Sequence, residues 1–172
     1  MEKSSRHAKI TGDFGEALVL YWLSRSGFEC ARVDHTGIDL IAKRPRSDER
    51  LGISVKSRSR APGTETSSVN IGHPQDLAKV VAACHAFQCV PYFAVVVDAT
   101  PRISVFLFAK EHLERLYPNR TGMIAWSMSP SRVKQYLADS SVRTLEFVIA
   151  SENWLAKGTW AAAQEGDEAG EC

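Results

Sequence analysis

Two short apolar runs each carry polar residues that could do chemistry. The first run, residues 37–42, contains Asp39, and the second, residues 51–56, contains Ser54 and ends at Lys56. If both runs are β-strands, alternate side chains point to opposite faces, so Ile38, Leu40 and Ala42 share one apolar face of the first run. The other face then carries the acid, the hydroxyl and the amine. A carboxylate can hold a divalent cation, and an amine can orient water or stabilise negative charge. The pattern therefore predicts polar groups held rigidly against a hydrophobic core.

Basic residues cluster around these two strands. Residues 43–60 contain seven Lys or Arg against two acids, whereas the whole chain carries a net charge of only +1. Any preference for an anionic partner must therefore come from this local cluster. A solvated charged face is the ordinary explanation of such a run, but beside a metal site it becomes a natural phosphate contact. The expected contacts to a nucleic-acid backbone are Lys43, Arg44, Arg46, Arg58 and Arg60.

A helix over residues 14–26 precedes the strands. It ends at Gly27, because glycine readily adopts the left-handed backbone conformation that often terminates a helix. A loose basic arm is expected before the helix, over residues 1–10. Between residues 13 and 25 the helix is apolar nearly all round, so we expect burial on more than one side. Glu16 is the only charged residue in that interval. Its carboxylate lies either in an exposed first turn or against a wet cleft, because an isolated buried charge is too costly.

The pattern predicts further elements on both sides of the two strands. Residues 28–33 alternate as a strand, and residues 59–70 are rich in Ser, Thr, Gly and Pro and suggest a mobile loop. A second helix is expected over residues 74–87, with Pro74 at its first position. Two long apolar strands then form a hairpin between residues 90 and 109, which either fills this chain's own core or provides an interface.

Length and composition indicate one domain. The chain has 172 residues, of which 44% are hydrophobic and 24% charged, enough for one well-buried domain and short for two. We expect this domain to span residues 1–160, with a core at 12–109 and additions at 110–160. Residues 161–172 carry four acids and no base, and we expect a flexible acidic tail.

The four cysteines and the hydropathy pattern indicate the compartment. The cysteines have no paired spacing, so reduced thiols are expected rather than disulfides or a zinc site. The first eleven residues contain no apolar signal region, and no apolar run approaches the roughly 18 residues of a membrane span. We therefore expect a cytoplasmic protein without a membrane partner.

The order of these elements and polar residues resembles a known nuclease superfamily. Glu16 on the first helix, Asp39 on the second strand and Lys56 at the end of the third are similar to the signature of the PD-(D/E)XK, or restriction-endonuclease-like, nucleases. The likeness covers residues 12–97 and is nearest to archaeal Holliday junction resolvase-like small nucleases. It implies an α/β fold in which a helix, three strands, a helix and a strand form a mixed sheet flanked by helices. It also implies metal-dependent hydrolysis of nucleic-acid phosphodiesters.

The resemblance assigns roles to individual residues. Asp39 is the expected ligand of Mg²⁺ or Mn²⁺, supported by Glu16 and by the main-chain carbonyl of Val55. Lys56 would orient or deprotonate the attacking water, or stabilise the developing negative charge. Gln75, which opens the second helix, would contact the substrate backbone.

Ser54 departs from the family pattern, which places an acid two residues before the lysine. The loss of one negative charge should weaken the metal site, and three explanations stay open. The acid could come from the second helix as Asp76, with Glu65 a poorer candidate because of its loop. Glu16 and Asp39 could suffice alone, or catalysis could have been lost. An acid such as Asp76 in the first turn of a helix also simply complements the helix dipole.

Two classes of function follow. The first is a metal-dependent endonuclease or exonuclease acting on nucleic acid, with DNA the expected substrate. The second is a catalytically degenerate module on the same fold that binds nucleic acid or a protein partner without cleaving it. The sequence leaves open whether the substrate is DNA or RNA, whether it is branched, and whether the chain forms a homodimer.

Overall fold

A mixed β-sheet forms the centre of the described structure. The computed structural model describes residues 4–117 and 122–149. In this part of the chain, the helices are α1 (His7–Arg25), α2 (Pro74–Ala86), α3 (Lys110–Leu116) and α4 (Pro130–Ala138). The strands are β1 (Glu29–His35), β2 (Ile38–Lys43), β3 (Arg50–Ser59), β4 (Val69–Gly72), β5 (Val90–Ala99), β6 (Arg102–Ala109), β7 (Ile124–Trp126) and β8 (Arg143–Val148).

Within the described residues, the sheet has six strands in the order β1-β2-β3-β5-β6-β8. Of these six, only β3 and β5 are parallel neighbours, with Leu51 beside Val90 and Ser59 beside Asp98, and α2 lies in the connection between them. The other neighbours are antiparallel. A separate pair is formed by β4 and β7. The expected α/β fold, a mixed central sheet flanked by helices, is confirmed.

Hydrophobic clusters cover both faces of this sheet. One cluster joins Val19 and Leu23 of α1 to residues such as Leu40, Ile53 and Val96. The other joins α2 to Phe93, Val95 and the residues around Trp126, on the opposite face. Successive residues of β5 and β6 alternate between the two clusters, so the predicted hairpin is buried on both faces within this chain. It therefore fills the chain's own core.

The first helix differs from its prediction. It begins at His7, so the last part of the expected basic arm is helical, while residues 1–3 lie outside the described residues. It also buries only one stripe, formed by Gly15, Val19 and Leu23. Phe14 is 42% exposed and Tyr21 is 54% exposed, so the expectation of burial on several sides was wrong. One side of α1 packs on the sheet, and no other helix within residues 4–117 and 122–149 covers the rest of its surface.

Two further local expectations need correction. The segment expected to be a mobile loop over residues 59–70 is a loop from Arg60 to Ser68, but its last two residues belong to β4. Arg60 connects the two ends of this loop by donating hydrogen bonds to the carbonyls of Ser67 and Ser68 at 2.6 and 2.9 Å. In β2, Ile38 does not share a face with Leu40, because it packs in the α2-side cluster while Leu40 packs in the α1-side cluster. The β1–β2 pairing shifts register at this point, which accounts for the break in alternation.

The later part of the chain adds to both layers of the fold. β8 extends the sheet beyond β6, and β7 and α4 cover the α2-side face through Trp126 and Tyr136. The division into a core at 12–109 and additions at 110–160 stays a prediction. The expected acidic tail at 161–172 lies outside the described residues. No helix in the described ranges is both long enough and apolar enough to cross a bilayer.

Candidate active site

Asp39 lies where the β2–β3 ladder ends. The last backbone pair of this ladder is Leu40 with Ile53. Beyond it, the backbone of β2 no longer supplies a hydrogen-bond acceptor for the N–H groups of β3. Instead, the backbone N–H of Val55 donates a hydrogen bond to Oδ2 of Asp39 at 2.6 Å. A short hydrogen bond to a carboxylate is strong, so it holds this side chain in one place. The other carboxylate oxygen, Oδ1, accepts no hydrogen bond from the residues that the structure describes, which leaves it available to a cation.

β3 presents three polar residues on the same side as Asp39. Ser54, Lys56 and Arg58 alternate along the strand, and all three line a cavity of about 330 Å³ together with Asp39. Ser54 is only 2% exposed, whereas the side chain of Lys56 is half-buried. Arg58 donates to the carbonyl of Ser57 at 2.7 Å. The acid, hydroxyl and amine that the sequence singled out therefore meet in one cleft.

The second helix closes this cleft with a further acid. Asp76 lines the same cavity and accepts hydrogen bonds from Lys79 at 2.9 Å and from the backbone N–H of His73 at 3.1 Å. These two hydrogen bonds hold the pKa of Asp76 below its ordinary value. Asp76 is thus an ionised carboxylate at neutral pH that already has a cationic neighbour.

Gly37 lets the β1–β2 turn approach α2 closely. Its φ is +110°, and a Cβ there would lie 2.6 Å from the carbonyl oxygen of Lys79. Any other residue would push the turn away from the helix and open the cavity.

Glu16 approaches the site from the opposite layer. It does not line the cavity, but its pKa is raised, first by burial and then by the negative charge of Asp39. Arg32 opposes this effect. Gly15, the preceding residue, lies so close to β3 that a Cβ would stand 2.9 Å from Cβ of Ser57. The contact between α1 and β3 therefore brings two acids, Glu16 and Asp39, within electrostatic range.

The raised pKa of Glu16 predicts a pH-dependent gain in stability for Glu16→Gln. Because the folded state binds the proton more tightly than the unfolded state, wild-type stability falls as pH rises from the ordinary value of 4.5 through the raised pKa. Above that window, in EDTA, the variant should melt at a higher temperature than wild type, and below pH 4.5 the two melting temperatures should converge. Thermal unfolding at several pH values measures this. A difference that does not change with pH would contradict it.

The acids present suit a cation held by few protein ligands. No group of three or more His, Cys, Asp and Glu side chains is arranged to hold a metal within residues 4–117 and 122–149. Mg²⁺ is commonly held by one or two carboxylates with waters completing the shell. Asp39 and Asp76 line one cavity, and the charge of Asp39 already opposes ionisation of Glu16, a repulsion that a cation would relieve. The donor set therefore fits Mg²⁺ or Mn²⁺ with an incomplete protein shell.

The structure divides the basic cluster between the two ends of the β2–β3 hairpin. Lys43, Arg44 and Arg46 line another cavity at the end remote from Asp39. Lys43 pairs with Asp48 at 3.1 Å, and Arg44 pairs with Glu49. The expected roles of these three residues stay predictions, but they lie away from the cleft.

Arg58 is the expected backbone contact that lines the cleft. Arg60 holds the carbonyls of Ser67 and Ser68, as described above. Gln75 is exposed on the first turn of α2 and does not line the cavity. Glu65 is also outside the cleft, where its carboxylate accepts a hydrogen bond from the N–H of Gly63 at 2.8 Å.

Two residues of the cleft were missed by sequence reasoning. Lys79 lines the cavity one helical turn after Asp76, a spacing that was visible in the sequence. Asn70 lines it from β4. It was missed because its segment was taken for a mobile loop.

Comparison with known proteins gives a sparse result. No family model matches the sequence, and no curated protein matches it. Among solved structures, the chain is similar to the Holliday junction resolvase Hjc of Archaeoglobus fulgidus, with 18% sequence identity and a TM-score of 0.49. The similarity covers 69% of this chain and 91% of that chain.

Proposed function

We propose that this chain is a metal-dependent nuclease that hydrolyses phosphodiester bonds, with DNA as its substrate. The observation that carries the proposal is the cleft in which Asp39, Ser54 and Lys56 meet, with Arg58 at its side. These residues come from two strands and are fixed by a hydrogen-bonded hairpin. An acid, an amine and a guanidinium around one small cavity fit the needs of phosphodiester cleavage: a cation ligand, a partner for water and a phosphate contact.

Asp39 would be the main protein ligand of Mg²⁺ or Mn²⁺. The main-chain carbonyl of Val55 and a second carboxylate, from Asp76 or Glu16, would complete the protein contribution. When bound, the cation would neutralise charge on the phosphate and lower the pKa of a coordinated water. Ser54 is neutral, so the protein shell carries one negative charge fewer than in the resembling family, and we expect weak metal affinity.

Lys56 and Arg58 would act on the substrate itself. Lys56 is half-buried beside Asp39, so its ammonium can hold the attacking water or offset charge that develops on the phosphate oxygens. Arg58 lies two residues further along the same strand face and would bind a neighbouring phosphate without reading a base. This division predicts binding that weakens with salt and has little sequence preference.

A cleavage assay tests the proposal directly. Labelled four-way junctions, single-stranded DNA, duplex DNA and RNA would be incubated with the protein in Mg²⁺, in Mn²⁺ and in EDTA. We expect cleavage of DNA that needs the cation. Cleavage of RNA alone would overturn the proposal that DNA is the substrate. Binding of these nucleic acids without cleavage of any of them would overturn the proposal that the protein is a nuclease.

The source of the second acid can be decided with two amide variants. Because Asp76 lines the cleft and Glu65 does not, we expect Asp76→Asn to raise the Mg²⁺ concentration for half-maximal cleavage. The increase should be about tenfold, which corresponds to the loss of one charge-assisted contact. Glu65→Gln is the matched control and should leave it unchanged. An unchanged requirement in Asp76→Asn would leave Glu16 and Asp39 as the carboxylate ligands.

Lys79 should oppose that metal contact. Its ammonium holds Asp76 at 2.9 Å, and a cation must compete with it for the carboxylate. Lys79→Met should therefore lower the Mg²⁺ concentration for half-maximal cleavage. A higher requirement in this variant would show that Lys79 supports the site instead.

A further inference from the structure

A second cavity of about 510 Å³ lies at the other end of the sheet. It is lined by Leu51 at the beginning of β3, by Leu107 near the end of β6 and by the first turn of α3. Leu51 precedes Lys56 by five residues, a separation of roughly 16 Å along a strand. The volume is within the range of roughly 300–1,000 Å³ that is usual for small-molecule sites. This cavity is therefore separate from the candidate active site.

One side of this cavity is apolar and aromatic. Leu23, Leu51 and Leu107 are almost fully buried and belong to the α1-side cluster. Three aromatic side chains, from Trp22, Phe28 and Tyr92, also line it. Flat rings over an aliphatic floor favour a planar apolar group as the occupant.

The other side is basic. Arg44, Arg115 and Arg143 line the cavity, against Glu111 as its one acid among the described residues. Arg44 is paired with Glu49, and its guanidinium lies 6.0 Å from the centre of the Phe28 ring. Its positive charge is therefore already largely neutralised within the chain. The Arg143 side chain makes no hydrogen bond or ion pair within the described ranges. The Arg115 guanidinium donates to Nδ1 of His112 at 3.3 Å and lies within electrostatic range of Asp139. Two guanidinium groups are thus available for an anion, and their forked donors suit a phosphate.

His112 supplies an independent sign of a missing partner. Its side chain is 4% exposed and lines the cavity, yet its Nε2 has no hydrogen bond within the described residues. The nearest acid, Asp139, stands 3.8 Å away, too far for a hydrogen bond. Burial lowers the pKa of His112, so its ring is neutral at pH 7. A buried polar atom without a partner is costly, and an acceptor on a ligand that reached Nε2 from this cavity would remove that cost.

We propose that this cavity binds a nucleoside phosphate, with the base against the aromatic wall and the phosphate at Arg115 and Arg143. A planar ring that carries an anion matches both sides of the cavity, whereas inorganic phosphate leaves the apolar side uncovered and a nucleoside leaves the arginines unpaired. A duplex backbone is a poor fit, because its solvated phosphates make no use of a buried aliphatic floor. The inference does not depend on the proposed nuclease activity.

Titration calorimetry in EDTA tests this proposal on the full chain, and the absence of divalent metal keeps phosphate from being captured at the candidate active site. The probes are AMP, adenosine and ribose 5-phosphate. We expect AMP to bind with a dissociation constant of about 10–100 µM, and each fragment at least about tenfold more weakly. No binding of AMP at about 1 mM would overturn the proposal, as would equal affinity for AMP and ribose 5-phosphate.

Variants locate the binding. Arg143→Gln and Arg115→Gln should each weaken AMP binding by about tenfold or more, as expected for the loss of a charge-assisted contact. Arg25→Gln is the matched control, since Arg25 is exposed at the end of α1 and lies outside the cavity. Lys56→Ala is a second control, which tests whether AMP binds at the candidate active site instead. Both should bind AMP as wild type does. Urea unfolding of each variant confirms that it is folded, and wild-type affinity in folded Arg143→Gln and Arg115→Gln would overturn the assignment.

Discussion

Asp39→Asn is expected to lower the rate of Mg²⁺-dependent DNA cleavage by about a thousandfold or more. Asparagine retains an oxygen that can accept the hydrogen bond from the N–H of Val55, so the hairpin should keep its geometry. It removes the negative charge that would hold the cation. Lys56→Met should cause a loss of about a hundredfold or more, because it keeps the length of the side chain and deletes the ammonium. Single-turnover cleavage at saturating protein measures both effects without contributions from product release.

The matched control for this experiment lies on the same hairpin. Asp48 pairs with Lys43 at the end remote from the cleft and is almost fully exposed, so Asp48→Asn should cleave at the wild-type rate. The melting temperature of each variant shows whether the fold is retained. Wild-type cleavage by Asp39→Asn would remove Asp39 from the chemistry and with it the proposed site.

Gly15→Ala is expected to destabilise the fold by about 2 kcal/mol, which corresponds to a melting temperature lower by roughly 4–8 °C. A Cβ at this position would lie 2.9 Å from Cβ of Ser57 and closer still to its Oγ, and β3 is fixed by neighbours on both sides. The helix must therefore move away from the sheet. Since Glu16 is the next residue, this shift should also lower cleavage. Thermal unfolding and the cleavage assay measure the two effects.

Gly12→Ala separates crowding from helix propensity. Gly12 is in the same helix, and a Cβ there would meet nothing within 4 Å. The alanine should stabilise α1 by about 0.5–1 kcal/mol, the ordinary gain over glycine. Adding Ser57→Gly to Gly15→Ala should recover much of the lost stability. Equal stabilisation by Gly12→Ala and Gly15→Ala would show that the helix is not seated as closely as described.

The centre of the fold could be predicted because its signals are local. The strands around Asp39 and Lys56 alternate clearly and are joined by a short charged loop, so the sequence indicated both the hairpin and its polar side. The second helix was equally clear, with Pro74 at its first position and a regular apolar stripe. In each case one stretch of chain contains all the information that is needed.

Other features depend on distant partners and could not be predicted. β4 has four residues and exists because it pairs with β7, which lies more than fifty residues later. Ile38 leaves its expected face because of a register shift against β1. Asp76 could be suggested as the second acid from the resemblance alone, because its place in the cleft depends on α2 connecting two parallel strands and returning over the sheet. Single-chain periodicity carries no information about such pairings.

The antiparallel path of the hairpin also separates charges that adjoin in sequence. Lys43 faces Arg50 at one end of it, while Arg58 lies eight residues further along β3, at roughly 26 Å. On B-form DNA that distance is about eight base-pair steps, most of one helical turn. If both ends touch one duplex, the protein should protect a stretch of about that size from hydroxyl radicals, with the cut displaced toward one margin of the protected stretch. If all the arginines of the hairpin lay at the cleft, the cut would instead fall at the centre of the protected stretch.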